Sequence, residues 1–181
     1  MEQLAQWDRE LFIYLNALGS PDFDGFWLFV THIQNWIPLY FLFFIFFWRM
    51  LTRKEAIVAL IGTLASLGTA LILTSLVKNT VGRLRPNNTP ELEGIIRVLQ
   101  TPADFSFWSG HAATSFAISF FVIAALRKKS KWIFLCLVWP FLFSLSRIYV
   151  GVHFPTDILI GAILGSGIGA FYYKAYSRIT Q

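Results

Sequence analysis

The chain has 181 residues, 56% of them hydrophobic and only 14% charged, with a mean hydropathy of +0.58. A soluble domain carries about 25% charged residues, so the shortfall points to lipid as part of the solvent. The net charge of +5 does not indicate nucleic acid, because the basic residues fall in short clusters between apolar runs, where membrane topology accounts for them. The length suits one domain, residues 1–181, and no internal repeat or second domain is visible. One cysteine, Cys136, lies inside an apolar run and reads as a small core residue, which leaves no intrachain disulfide and no multi-cysteine metal site.

Residues 1–24 hold Glu2, Asp8, Glu10, Asp22 and Asp24 against a single Arg9. This acidic start lacks the basic region of a secretory signal peptide. Residues 11–18 are apolar but too few to span a bilayer, which takes roughly 20 residues. Leu11, Tyr14, Leu15 and Leu18 share one helical face, which predicts an interfacial amphipathic helix ended by Gly19, Ser20 and Pro21. Residues 26–48 form the first long apolar region, interrupted by Thr31, His32, Gln34, Asn35 and Pro38. One span with a polar start is expected there, with a short re-entrant piece followed by a helix as the alternative. Residues 56–77 are uncharged and give a clean transmembrane helix, with Gly62 and Ser66, and Ala65 and Thr69, in the small-xxx-small spacing that lets helix backbones approach.

Residues 78–106 are the longest polar stretch and read as a loop. Residues 107–126 form a third span, opening on Ser109-Gly110-His111, and residues 132–152 a fourth, with Trp132 as an interfacial anchor. Residues 156–173 form a fifth, where Gly161, Gly165 and Gly169 recur every four residues and predict tight packing. The expected architecture is therefore an all-α polytopic membrane bundle of about five transmembrane helices plus the N-terminal interfacial helix. The basic turns 49–54 and 127–131 and the tail from Lys174 share one side, which the positive-inside bias makes cytoplasmic. Lys78, Arg83, Arg85 and Arg97 lie on the other side, where an anionic ligand would account for them.

Three clusters fall on that outer face: Lys78 with Arg85-Pro86, then Ser109-Gly110-His111, then Arg147, His153 and Asp157. Ionisable residues at the edge of membrane segments point to function. Arginine grips phosphate oxygens through paired hydrogen bonds, and lysine adds a point charge. Ser109 stands where a helix N-terminus offers free N–H groups to an anion, and Gly110 lets an oxygen come close. Asp157, in the first turn after Pro155, can reach back to the His153 imidazole and fix its tautomer. His153 is then a credible nucleophile for phosphorus, and His111 the group that protonates the departing oxygen and later activates water. Singly these residues read as a snorkelling lysine, a loop charge, an N-cap, a core histidine and a structural Arg147–Asp157 pair; together on one face they read as a site. His32 reads as structural, and Glu91 and Glu93 as loop charges. No HExxH, paired-carboxylate or clustered-histidine pattern points to a metal, and no cofactor is expected.

The spacings K-x6-RP at Lys78 and Arg85-Pro86, SGH at 109–111, and SR-x5-H-x3-D at Ser146-Arg147, His153 and Asp157 resemble the type 2 phosphatidic acid phosphatase family. The motifs span residues 78–157; Trp108 stands where the family usually has proline, and packing at the interface or against a lipid chain is expected for it. The resemblance implies a metal-independent phosphatase with a phosphohistidine intermediate. His153 would be the nucleophile, Asp157 its orienting partner and His111 the general acid/base. Lys78, Arg85, Arg147, Ser109 and Gly110 would bind the phosphate. It implies a lipid phosphate or diphosphate in the cell membrane as substrate, and the charge distribution of the turns predicts that its head group enters from the extracytoplasmic face. Undecaprenyl diphosphate, phosphatidylglycerophosphate, phosphatidic acid and a lipid A phosphate are candidates. A non-catalytic transporter or binding protein for an anionic lipid is the competing reading; it would need the cations but not a paired His153 and Asp157.

Overall fold

The computed structural model describes residues 2–181, and among them there is no strand. They form seven α-helices with short 3-10 turns between some of them and a long, mostly irregular loop between the fourth and fifth: α1 Glu2–Ala17, α2 Asp24–Thr31, α3 Ile37–Met50, α4 Arg53–Val81, α5 Gly110–Leu126, α6 Val138–Tyr149 and α7 Pro155–Thr180. Helices are what an apolar chain must form in lipid, because they satisfy every backbone N–H and C=O internally. α5 lies at the centre, against α4, α6 and α7. Large side chains face outward along the bundle, among them Phe41 on α3, Ile61, Leu64 and Ile72 on α4, and Ile163 and Phe171 on α7. A water-soluble fold would not expose so many.

Three stretches are long and apolar enough to cross a membrane: Arg53–Leu92, Lys131–Tyr149 and Pro155–Thr180. Gly110–Leu126 is also apolar but shorter. The expected single span over residues 26–48 is instead two pieces, Pro21–Thr31 and Ile33–Met50, bent by 68°. The break falls at His32, whose backbone is extended, and Pro38 stands in the first turn of α3, where its missing N–H costs nothing. Such a break fits a single broken span and a short re-entrant piece followed by a helix alike.

Thr52 and Glu55 start α4 with reciprocal side-chain and backbone hydrogen bonds, Glu55 N–H to Thr52 Oγ1 at 3.3 Å and Thr52 N–H to Glu55 Oε2 at 2.8 Å. The helix then runs past residue 77 to Val81 and ends at Gly82, in the left-handed region at φ 64°. Lys78 is therefore in the last helical turn and not, as expected, at the start of the loop.

α7 packs on α5 through its glycines. A Cβ on Gly161 would stand 2.7 Å from the Ser109 carbonyl oxygen, one on Gly165 2.2 Å from that of Ala113, and one on Gly169 2.4 Å from that of Ala117. Only glycine allows this approach, and it fixes the start of α7 beside the start of α5.

The N-terminal helix is longer than residues 11–18. Its outer face carries Leu4, Trp7, Leu11 and Tyr14, all exposed, as an interfacial helix requires, and exposed Leu18 follows its end; Leu15, expected on that face, is instead partly buried against the cluster of Phe12. Its inner face buries Asp8, Phe12 and Asn16, spaced four apart. Phe12 meets the Phe154 ring edge-on at 5.3 Å. Asn16 donates to the carbonyls of Arg97 and Ile148 at 3.0 Å and of Tyr149 at 3.2 Å, and accepts from the Arg97 N–H at 2.8 Å. α1 is thus fastened to both the long loop and the end of α6.

Candidate active site

The expected residues converge at one end of the bundle, between the C-terminus of α4 and the N-termini of α5 and α7. α6 ends at Tyr149, and the connection 150–154 leads into α7. Gly151 makes that connection possible: its φ is +82°, and a Cβ there would lie 2.4 Å from the Arg97 carbonyl oxygen. His153 follows, 1% exposed. Phe154 caps α7, and Asp157 in the first turn accepts the Phe154 N–H at 3.0 Å.

His153 sits between unlike neighbours. Arg85 Nη1 lies 2.9 Å from Nε2. Arginine can only donate, so Nε2 is the acceptor and the ring proton resides on Nδ1. Nδ1 faces Asp157 Oδ2 at 3.4 Å, a long hydrogen bond. Burial above all, with the positive charges of Arg85, Arg147 and Lys78 adding to it, holds His153 well below the ordinary imidazole value. The ring is therefore neutral, with its lone pair turned toward the cations.

Asp157 is fully buried and heavily partnered. Oδ1 accepts from Arg83 Nη1 at 2.7 Å, and Oδ2 accepts from the Ser106 hydroxyl. Arg83 continues through Nη2 to Asp8 on α1 at 2.7 Å, and its guanidinium lies 4.1 Å over the Phe154 ring. Asp8 also accepts from the Thr156 N–H and hydroxyl at 2.9 and 2.6 Å. These contacts correct two expectations. The arginine paired with Asp157 is Arg83, so the structural Arg147–Asp157 pair offered by the residue-by-residue reading does not form. Arg83 and Arg97, whose presence on this side suggested an anionic ligand, already meet carboxylates: Arg97 Nη2 reaches Asp24 at 2.8 and 2.9 Å.

Arg147 is 5% exposed and is held by Thr31 and by Gln100 Oε1, the latter at 2.9 Å, while its Nε has no partner. Ser109 is the N-cap of α5, its hydroxyl accepting the Ala112 N–H at 3.4 Å; its own N–H donates to the Asp157 carbonyl at 3.0 Å. That last bond takes the Ser109 N–H out of reach of an anion and leaves the amides that follow it. The His111 ring lies tilted against Phe143, centroids 4.6 Å apart, and shares a cleft of about 340 Å³ with Lys78, Asp104, Gly110, Thr74 and Ile33. Asp104 bridges Lys78 and Arg85. Trp108 is 8% exposed and donates Nε1–H to Thr74 Oγ1 at 2.7 Å, so it braces α4 against α5 and faces neither interface nor lipid.

All eight expected residues are thus within one neighbourhood; Arg83, singled out in the sequence only as a cation on this side, joins them, as do Asp8, Thr31, Gln100, Asp104 and Ser106, none of which the sequence assigned to the site. Only Arg83 and Asp104 carried a signal: each is a charged residue close in sequence to a motif, two before Arg85 and five before Ser109.

Three buried or largely buried cations, a neutral imidazole whose unprotonated nitrogen meets one of them, and a second imidazole in a cleft partly lined by apolar side chains suit a membrane-embedded phosphate-ester hydrolase. The chain belongs to the PAP2 superfamily, whose family model matches residues 58–181. The lipid A 4'-phosphatase of Bacteroides thetaiotaomicron is 33% identical to it, across 99% of this chain and 81% of the relative. The undecaprenyl-diphosphatase of Sulfolobus acidocaldarius is 32% identical, across 92% of this chain and 77% of the relative. In fold, the crystal structure of a transmembrane PAP2-type phosphatidylglycerolphosphate phosphatase from Bacillus subtilis superposes with a TM-score of 0.76 at 22% identity, covering 100% of this chain and 89% of that one.

Proposed function

We propose that the chain, acting as one unit over residues 1–181, hydrolyses a phosphate monoester or diphosphate on a membrane lipid through a phosphohistidine. Lys78, Arg85, Arg147 and the backbone N–H groups that open α5 from Gly110 hold the phosphate oxygens, and Ser109 caps that turn. As Arg85 Nη1 turns from His153 Nε2 to a phosphate oxygen, the freed Nε2 lone pair attacks phosphorus along the line of the leaving oxygen; the N–P bond forms as the P–O bond to the lipid breaks. Asp157 accepts the Nδ1–H and balances the charge the ring acquires. His111 gives its proton to the leaving oxygen, then takes one from the water that attacks phosphorus, and the N–P electrons return to Nε2. The arriving phosphate brings the negative charge that a protonated His111 needs among three cations. The step needs no metal.

The observation that carries this reading is the sense of the Arg85–His153 bond: it leaves the basic nitrogen facing the phosphate-binding cations, with a carboxylate on the ring's other nitrogen. A lipid carrier without turnover has no use for that pairing. Relatives spanning nearly the whole chain act on lipid A and on undecaprenyl diphosphate, and these two lipids are the first substrates to compare. The site lies on the extracytoplasmic face of the cell membrane, opposite the basic turns.

The test is a quench of the purified protein, in EDTA, with lipid carrying labelled phosphate. Wild type should retain label in an acid-labile, base-stable bond and release phosphate. His153→Ala should do neither, with a loss of at least 1,000-fold, on the order seen when a covalent nucleophile is removed. Equal phosphate release by His153→Ala would remove the mechanism.

A further inference from the structure

Lys78 and Arg85 are occupied by a carboxylate of the chain itself. Arg85 has five N–H groups. Nε donates to the Asp104 carbonyl oxygen at 2.9 Å, Nη1 to the Val152 carbonyl and to His153 Nε2, both at 2.9 Å, and Nη2 to Asp104 Oδ1 at 2.8 Å. One N–H remains, and a two-pronged grip on phosphate takes two. Lys78 meanwhile donates to Asp104 Oδ2. Each oxygen of this carboxylate therefore stands on a cation that the proposed chemistry requires for phosphate.

The way the three side chains are buried says which of them can leave. The side chain of Asp104 is 56% exposed, that of Arg85 4% and that of Lys78 12%. The cations are set in the protein, and the carboxylate approaches from the solvent side. Its backbone carbonyl stays tied to Arg85 Nε, so a rotation about Cα–Cβ alone frees Lys78 and Nη2. Burial pushes the Asp104 carboxyl up, but Lys78 and Arg85 outweigh it and hold it below its ordinary value, so the group is anionic at neutral pH.

Resting on the phosphate-binding role proposed above for Lys78 and Arg85, we infer that Asp104 is a built-in competitor for phosphate, yielding to the phosphate of a lipid and returning to expel inorganic phosphate after hydrolysis. The asymmetry between substrate and product follows from anchoring. A lipid phosphate is held at the site by its tail and is presented at high local concentration, so it outcompetes one carboxylate. Free phosphate has only its charge, and the carboxylate is always at hand.

A different role, as a strut that holds Lys78 and Arg85 in place, predicts the opposite sign, which makes the idea testable by equilibrium binding of labelled inorganic phosphate to the purified protein in detergent. Asp104→Asn should bind phosphate about tenfold tighter, since it removes a competitor making charge-assisted hydrogen bonds from a half-exposed position. Asp104→Glu, which keeps the carboxylate, should stay within about threefold of wild type on the same grounds. In turnover of a lipid phosphate, Asp104→Asn should show stronger inhibition by phosphate and a lower kcat from slower product release. Arg85→Gln separates the two levels of the argument. Unchanged phosphate binding in Arg85→Gln overturns the site itself, and this inference with it. Binding lost in Arg85→Gln but unaltered or weaker in Asp104→Asn overturns the competitor alone.

Discussion

Arg83 and Arg85 sit two residues apart and bond to opposite ends of the His153–Asp157 pair. Arg85 meets the free imidazole nitrogen; Arg83 meets the far oxygen of the carboxylate and ties it to Asp8. Arg83 touches no group that holds phosphate, so its effect must run through Asp157. Arg83→Gln should lower kcat at least tenfold, about 1.4 kcal/mol of barrier, while the inhibition constant for inorganic phosphate stays within about twofold. A parallel loss of phosphate affinity would mean that Arg83 belongs to the anion site. From sequence, Arg85 was legible because a six-residue gap from Lys78 and a following proline singled it out. Arg83 stood out only as a cation on this side and its role was not legible, because its two carboxylate partners lie 75 residues before it and 74 after it, and nothing in one sequence links such positions. Asp157 was legible for the opposite reason: its four-residue offset from His153 is one helical turn.

Helix starts were easier to read than helix ends. Ser109 before an apolar run and Pro155 before Thr156-Asp157 are local signals, and both helices begin there. The end of α4 is marked only by Gly82, behind the polar residues Lys78, Asn79 and Thr80, so the helix looked finished a turn early. The bend at residue 32 stood only as an alternative, because hydropathy averages over a stretch and does not register one extended residue. The spacing of Gly161, Gly165 and Gly169 was read correctly, and it supports a matched comparison. Gly165→Ala puts a methyl 2.2 Å from a backbone oxygen of α5, whereas nothing lies within 4 Å of a Cβ at Gly167. Gly165→Ala should destabilise the purified protein by about 1–3 kcal/mol, read as a lower Tm. Gly167→Ala should be neutral or stabilising by up to about 1 kcal/mol, from helix propensity alone. Equal Tm values for the two variants would show that the α5–α7 contact is looser than described.

At the scale of the whole molecule, the polar site lies at one end of the bundle and the basic turns 49–54 and 127–131 at the other. A reporter active only outside the cytoplasm should therefore be active when fused at residue 90 and silent at residue 129. The reverse pattern would invert the proposed orientation. This division of the chain was visible in the charges alone, since topology depends on where cations cluster and not on which side chains meet. What the charges could not convey is the contribution of the first helix. The family model begins at residue 58, yet Asp8 and Asn16 grip Arg83, Thr156 and the carbonyls of residues 97, 148 and 149. A chimera that joins residues 58–181 to a foreign leader would retain every motif residue. It would also leave Arg83 without one of its two carboxylates and the end of α6 without its clasp. Exchange of modules between members of the superfamily therefore has to respect a seam that runs through the third dimension, with residues 2–17 travelling alongside the catalytic half.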